Sequence, residues 1–269
     1  MSFLRLLASI CIATPLSVAC ASQPADTAAS VAAATLAPTA ATKTASPAEI
    51  GNNAGDSSSF PLAASSHRYR FSWDGNLSGD ATRSLSCKQQ VCSLHTEATV
   101  PGIGSLDERS QFTWREGKVQ FESYQRQMQL LFFPQTVRIL RAGDGEVVTT
   151  DRKGKVRRYP DQLDLIDSLS LEARLRSDLM LNGKAQTQYL MADTKGVTAL
   201  TLSELPTETL TVAEQKIAVR VFQRRNAEGT RITTLWLDPK QQFLPVQITH
   251  QDGAETYRML WLGNTASAP

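Results

Sequence analysis

Nucleophilic catalysis needs a Ser, Cys or Thr within reach of a histidine that an acid orients. This chain of 269 residues holds three histidines, His67, His95 and His250, and no G-x-S-x-G elbow. His95 sits in a predicted strand, and His250 ends another just before the Asp252-Gly253 turn signal, so both read as ordinary strand residues. Asp161, Asp164 and Asp167 could hold a metal or form an acid–base pair. A predicted helix beginning at Pro160-Asp161 accounts for them more simply, because carboxylates are stabilised in a first helical turn. The expectation is a protein that is not an enzyme, with no catalytic residue, no metal ligand and no cofactor.

Cysteine chemistry is more informative. Cys11 and Cys20 fall in an apolar head, leaving Cys87 and Cys92 in the run Ser86-Cys87-Lys88-Gln89-Gln90-Val91-Cys92. A two-residue turn at Gln89-Gln90 would pair Lys88 with Val91 and set Cys87 opposite Cys92. Directly opposed Cα atoms at a non-hydrogen-bonded site lie about 4.5 Å apart, within disulfide range. A redox-active pair would normally show C-x-x-C, and a zinc site would need two further ligands that the scattered histidines do not supply nearby. The pair reads as a structural disulfide.

The densest basic run is Arg152, Lys153, Lys155, Arg157 and Arg158, centred on a turn signal at Lys153-Gly154. Such a hairpin tip could touch an anionic envelope surface, or it could be a charged edge that discourages strand-to-strand aggregation. Pro101-Gly102-Ile103-Gly104 lacks the strand-then-helix context of a phosphate loop and reads as a turn. Phe71, Phe112, Phe121, Tyr124, Phe132 and Phe133 read as core. Trp73, Trp114, Trp236, Tyr257 and Trp261, with Leu169, read as core or as the lining of an apolar cavity.

The head places this chemistry outside the cytoplasm. Arg5, the apolar stretch Leu6 to Val18 and the exit Ala19-Cys20-Ala21 have the layout of a signal peptide over residues 1–21, with cleavage after Ala21 and a periplasmic destination. Lipidation at Cys20 is the alternative, although Ser17 stands where a lipobox wants Leu. Cleavage would remove Arg5 alone among charged residues, leaving 27 basic against 26 acidic side chains. That balance argues against a nucleic-acid partner. No later segment supplies the roughly 20 apolar residues of a membrane-spanning helix. Residues 22–66 are mostly Ala, Ser, Thr and Pro and read as a disordered linker, with a short disordered tail at 264–269.

Residues 67–263 read as one β-rich domain. Period-2 alternation predicts strands at Tyr69 to Leu77, Val91 to Thr99, Glu108 to Trp114, Lys118 to Arg126 and Thr136 to Arg141. Six more follow between Thr187 and Leu262. Leu163, Ile166, Leu171, Leu175 and Leu179 recur at helical spacing and predict one helix from Asp161 to Met180, stopped by Asn182-Gly183. Late strands are apolar on both faces, with Ile217, Val219 and Val221 alternating with Ala218 and Phe222. A mainly β fold follows, as a single curved antiparallel sheet or incomplete barrel with one packed helix.

The run Leu235-Trp236-Leu237-Asp238-Pro239, followed by Leu244-Pro245-Val246-Gln247-Ile248, resembles the ending of an uncharacterised exported bacterial family, domain of unknown function 3108. Asp164 to Leu171 and Glu208 to Val212 resemble its helix opening and a further strand, although Ala213-Glu214-Gln215 replaces the usual Gly. The resemblance implies a β-plus-helix domain and supplies no catalytic residues. By fold analogy with periplasmic half-barrel carriers, it also suggests an apolar ligand such as an acyl chain. A binding or envelope-maintenance role is expected, either as such a carrier or as a module docking through Arg152 to Arg158.

Overall fold

The computed structural model describes residues 59–264 except 74, 76, 213, 227 and 228. The expected signal peptide, most of the expected linker, residues 265–269 and the Trp73 side chain lie outside them.

Alternation builds the sheet. In β2 (Leu77–Lys88) the side chains of Ala81, Arg83 and Leu85 are buried, and in β3 (Val91–Val100) so are Cys92, Leu94 and Thr96, each separated by a more exposed neighbour. Before them runs β1 (Ser65–Trp73), and after them β4 (Gly104–Arg115), β5 (Lys118–Leu130), β6 (Phe133–Arg141), β7 (Glu146–Thr150), β8 (Val156–Pro160) and β9 (Leu165–Ile166). The helix α1 (Ser170–Asn182) precedes β10 (Gln188–Asp193), β11 (Gly196–Val212), β12 (Gln215–Arg225), β13 (Arg231–Asp238), β14 (Leu244–Asp252) and β15 (Glu255–Asn264). Together they form one open curved sheet of 15 strands, ordered β8 through β1, then β15 through β9. Among the described residues, only the β9–β10 pair is parallel.

The two edges meet through side chains rather than a ladder. Near the β8 edge, the Tyr159 hydroxyl donates to the Asp193 carbonyl at 2.9 Å and the Thr149 hydroxyl to the Thr194 carbonyl at 3.0 Å. Val147, Leu165 and Ala192 share one apolar cluster across the same seam.

Every residue of α1 from Ser170 to Leu179 is buried. Leu171, Leu175 and Leu179 pack with Phe222, Leu235 and Leu237, while Leu169 and Ala173 pack with Phe112, Val119 and Phe121. A helix covered all round is a core element, not a surface one. Gly183 ends it in the left-handed conformation (φ 68°), and its N–H bonds the Leu179 carbonyl. The expected burial of the late strands on both faces holds only in part: Val219, Val221 and Val246 fill a further cluster with Tyr69 and Trp261, and Phe222 faces the helix from the other side, but Ala218 on that side is exposed.

The helix opening expected at Asp161 is corrected. Pro160 ends β8, Asp161 pairs with Arg141, and Asp164 (φ 59°) pairs with Lys118. Leu163 fits the helical period but is 90% exposed. A residue with positive φ cannot continue a right-handed helix, so the chain turns through β9 before α1 begins. Two smaller differences concern β1. The strand expected over Tyr69 to Leu77 is broken between β1 and β2, and the packed chain starts upstream of His67, since Leu62 is buried and Phe60 meets Phe112 and Trp114 edge-on at 5.5 and 5.4 Å.

The β2–β3 hairpin has the register expected from its sequence. Lys88 pairs with Val91 and Cys87 with Cys92, with Gln89 at φ 57° in the turn. Cys87 and Cys92 form a disulfide with Cα atoms 4.1 Å apart. The Cys87→Ser/Cys92→Ser double variant should unfold at lower urea concentration, losing about 2 kcal/mol as expected for so short a closed loop. Intact mass of the unmodified protein should be two hydrogens light.

Candidate functional site

Because α1 is enclosed, its charged side chains must be answered by one another or by the sheet. Glu172 lies 2.7 Å from the Arg83 guanidinium and 3.6 Å from that of Arg176, one helical turn on. Arg83 also donates to Thr96 at 3.2 Å, and Arg176 donates to the Gln242 carbonyl at 3.1 Å. Burial works against the charge on Arg83, but Glu172 and the nearby Tyr69 hydroxyl outweigh it and raise its pKa. Burial lowers that of Arg176. Further along the helix, Arg174 donates to Asp178 at 3.0 Å, and the Tyr189 hydroxyl reaches the same carboxylate at 3.3 Å.

Asp167 organises the start of the helix. Leu169, immediately before α1, has no capping side chain; instead Asp167 Oδ1 accepts from the Leu169 and Ser170 N–H groups at 2.8 and 3.1 Å. The Ser110 hydroxyl donates to its other oxygen at 2.6 Å. Burial pushes the Asp167 carboxyl up to about 6 against these bonds. These interior charges are spoken for by one another, so the network is a device for seating the helix.

The residues expected to line an apolar cavity are divided among separate clusters. Trp114 and Leu169 belong to one, and Trp261 and Trp236 to another. The Tyr257 hydroxyl donates to Glu255 at 2.9 Å, and the Trp236 indole donates to Glu208 at 2.9 Å. The histidines are also dispersed. His67 accepts from the Trp261 indole at 3.4 Å, and burial lowers its pKa. His250 lies 2.9 Å from the Thr233 hydroxyl and is pushed down to about 4, chiefly by burial, so it is neutral near pH 7.

His95, Glu97 and Asp107 do come together on β3 and β4, each offering a ligand atom within 4.8 Å of the others. A nitrogen and two carboxylates suit a divalent metal in type. The His95–Asp107 contact of 3.1 Å already partners both groups, and the Asp107 side chain is 48% exposed.

Two exposed turns, one basic and one apolar, lie at one end of the sheet. The basic run folds as the β7–β8 turn, with Thr150 paired to Val156. Asp151 accepts from the backbone N–H of Lys153 and Lys155 at 2.9 and 3.1 Å and from Arg157 at 2.9 Å. The bond from Arg157 holds its carboxyl below the usual range. The turn's one acid is thus consumed in shaping it, while Arg152, Lys153 and Lys155 are exposed. Arg157 also donates to the Thr194 carbonyl at 3.2 Å, and Arg158 pairs with Glu146 at 2.9 Å, so these two arginines are tethered to the fold.

Beside it, the β5–β6 turn presents Leu131, Phe132 and Phe133, which are 57%, 88% and 60% exposed. The core placement expected for Phe132 and Phe133 is corrected by the register: Leu130 pairs with Phe133, putting Leu131 and Phe132 at the turn itself. The turn is braced, since the Leu131 N–H bonds the Ile103 carbonyl at 2.9 Å and the Gln129 amide bonds the Leu131 carbonyl at 2.9 Å. Gly104 allows this close approach, because a Cβ there would lie 2.1 Å from the Gln129 carbonyl oxygen. Leu131 sits at φ 50°. A left-handed residue with a branched side chain costs about 1–2 kcal/mol, and Asn or Gly would be the ordinary choice.

No family model matches the chain, and no curated relative does. Solved structures do. A β-barrel-like protein of domain of unknown function 1849 from Brucella abortus aligns over 77% of this chain and 99% of its own length, at 11% identity and a TM-score of 0.50. That match is one of fold. A domain of unknown function 1089 protein from Pseudomonas aeruginosa aligns over 62% of this chain with a TM-score of 0.29, and a domain of unknown function 1329 protein from Desulfovibrio piger over 77% with 0.19. The likeness to the first of these gives the chain the general build of a β-barrel-like domain of unknown function. Among the described residues, no helix is long and apolar enough to cross a membrane.

The interior network can be tested at two positions. Glu172→Gln leaves Arg83 and Arg176 facing each other without their shared partner and should cost about 3–5 kcal/mol in urea unfolding. For Asp167 the folded pKa lies above the unfolded value, so its contribution is full below about pH 4 and is lost as pH rises through about 6. Relative to wild type, Asp167→Asn should therefore gain stability between about pH 4 and pH 7. The gain should approach about 3 kcal/mol, since a tenfold change in acidity corresponds to about 1.4 kcal/mol. Parallel urea titrations across that range would show no such divergence if the carboxyl were ordinary.

Proposed function

We propose that this chain is a non-enzymatic exported protein of the cell envelope, acting as a binding module through the end of the sheet that carries Leu131, Phe132 and Phe133. The observation behind this reading is that apolar tip, braced against its neighbour and set beside a basic turn. Isolated apolar residues are common on protein surfaces, but consecutive large ones at a hairpin tip mark an interaction site. Elsewhere the described turns use residues such as Gln89-Gln90, Glu116-Gly117 and Asp252-Gly253.

The disulfide supports a periplasmic address, since such bonds persist in oxidising compartments. The cleavable head over residues 1–21 supports it too, with Cys20 lipidation as the alternative processing route. Dispersed histidines, two cysteines tied to each other and mutually paired interior charges favour a role without catalysis. The carrier reading draws less support. The space inside the sheet is occupied by α1, and the charges of Arg83, Glu172 and Arg176 are poor company for an acyl chain. Among domains of this build, the run from Trp236 to Ile248 supports placing the chain beside domain of unknown function 3108.

Fractionation of a Gram-negative host tests the reading. The protein should leave the cytoplasm as a chain beginning at Ser22 and co-sediment with envelope membranes. Phe132→Ser/Phe133→Ser should move it to the soluble periplasmic fraction without changing its melting temperature. Cytoplasmic retention of the wild type, or identical fractionation of the variant, would refute the proposal.

A further inference from the structure

We infer that the partner at this end of the sheet is the surface of an anionic phospholipid bilayer, with the apolar tip inserted and the basic turn at headgroup level. This deepens the envelope-binding reading and rests on it. Three observations carry it.

The first is the arrangement of the two turns. Strand β7 runs antiparallel to β6, with Arg138 paired to Thr150, so the β7–β8 turn points toward the same end as the β5–β6 turn. Phe133 lies five residues from Arg138 along β6. At about 3.4 Å per residue, the apolar tip leads the end of β7 by roughly 17 Å, and the basic turn recovers under half of that. The tip thus projects roughly 10 Å past Arg152, Lys153 and Lys155, matching the 5–10 Å to which interfacial apolar groups sink while cations remain among the headgroups.

The second is charge. Asp151 is the turn's own carboxylate and is engaged by two backbone N–H groups and Arg157, so the outward face of the turn is cationic. This complements phosphate and not a neutral or basic protein surface.

The third is shape. Leu131, Phe132 and Phe133 form a projecting point with Phe132 at its summit, not a groove. A point inserts into a deformable apolar medium more readily than it seats on a rigid partner. Holding Leu131 in a left-handed conformation keeps that point presented before any contact is made.

Vesicle flotation tests the assignment, using phosphatidylglycerol/phosphatidylcholine vesicles beside pure phosphatidylcholine and comparing variants of the same whole chain. The wild type should favour the anionic vesicles at least tenfold, less so in high salt. Lys153→Glu/Lys155→Glu should abolish most of that preference, since each lysine near an anionic surface is worth roughly a fivefold change. Phe132→Ser should lower partitioning to both vesicle types by about tenfold or more, as expected for withdrawing one large side chain from an apolar medium. Phe132→Trp should keep binding, and its new indole should be quenched by lipids brominated on their acyl chains. Because Phe132 is exposed, melting curves of these variants should overlay the wild type. Absence of vesicle binding, variants that float like the wild type, or a Phe132→Trp variant whose fluorescence the brominated lipids leave unchanged would each overturn the inference. Failure on vesicles while Phe132→Ser/Phe133→Ser still releases the protein from native envelopes would replace lipid by a non-lipid envelope component and leave the broader reading standing. Loss of neither association would remove both.

Discussion

A helix enclosed on every side has nowhere to send its charges, and the rest of the fold is arranged around that constraint. Glu172, Arg174, Arg176 and Asp178 alternate with the leucines of α1 and share their burial. An unpaired buried charge is costly, so each needs a partner: Arg174 and Asp178 pair within the helix, while Glu172 reaches Arg83 in the sheet. Arg83 can meet Glu172 only if β2 keeps the register that turns Ala81, Arg83 and Leu85 inward. That same register faces Cys87 toward Cys92, so the disulfide and the ion pair secure one strand alignment from two positions. Ser110 on β4 and Tyr189 on β10 anchor Asp167 and Asp178 in the same manner, spreading the helix's attachments around the sheet.

Inside and outside follow opposite rules here. The interior holds charge where an apolar filling would be the ordinary choice. The tip of the β5–β6 hairpin holds Leu and Phe where polar turn residues would be ordinary. Both departures use residues that local preference disfavours, and each needs a reason from beyond its own segment. For the interior, the reason is visible in the partners that meet α1. For the tip, no described residue supplies one, and the bilayer proposed above would.

Most strands are legible in the sequence because alternation on a half-buried sheet leaves a two-residue period, whereas β9 (Leu165–Ile166) is too short to show one. The Cys87–Cys92 register can be read in advance because a two-residue turn fixes the pairing of everything beside it. The helix boundary cannot. Leu163 continues a convincing helical spacing, yet Asp164 turns the chain away at φ 59° and meets Lys118 on a strand far upstream. Glu172 and Arg176 look in sequence like a solvated face, because the partner that makes their burial tolerable, Arg83, is 89 residues before Glu172. Phe132 and Phe133 look like core until the pairing of Leu130 with Phe133 is known. An Asn-Gly style turn would have announced itself, whereas four consecutive apolar residues conceal one.

The strand order has a consequence for how the molecule must assemble. Every strand from β1 to β8 neighbours the next in sequence, and so does every strand from β9 to β15. The two meanders can each grow largely by adding one hairpin at a time, a local process with little loop entropy to overcome. They are joined in the ladder only where β1 meets β15, with His67 opposite Asn264. That seam unites the first and last described strands, and it cannot form until nearly the whole domain has emerged and folded back. Until then β1 and β15 are exposed edges, so the molecule's slowest and most aggregation-prone moment lies in the middle of the finished sheet and not at its rim.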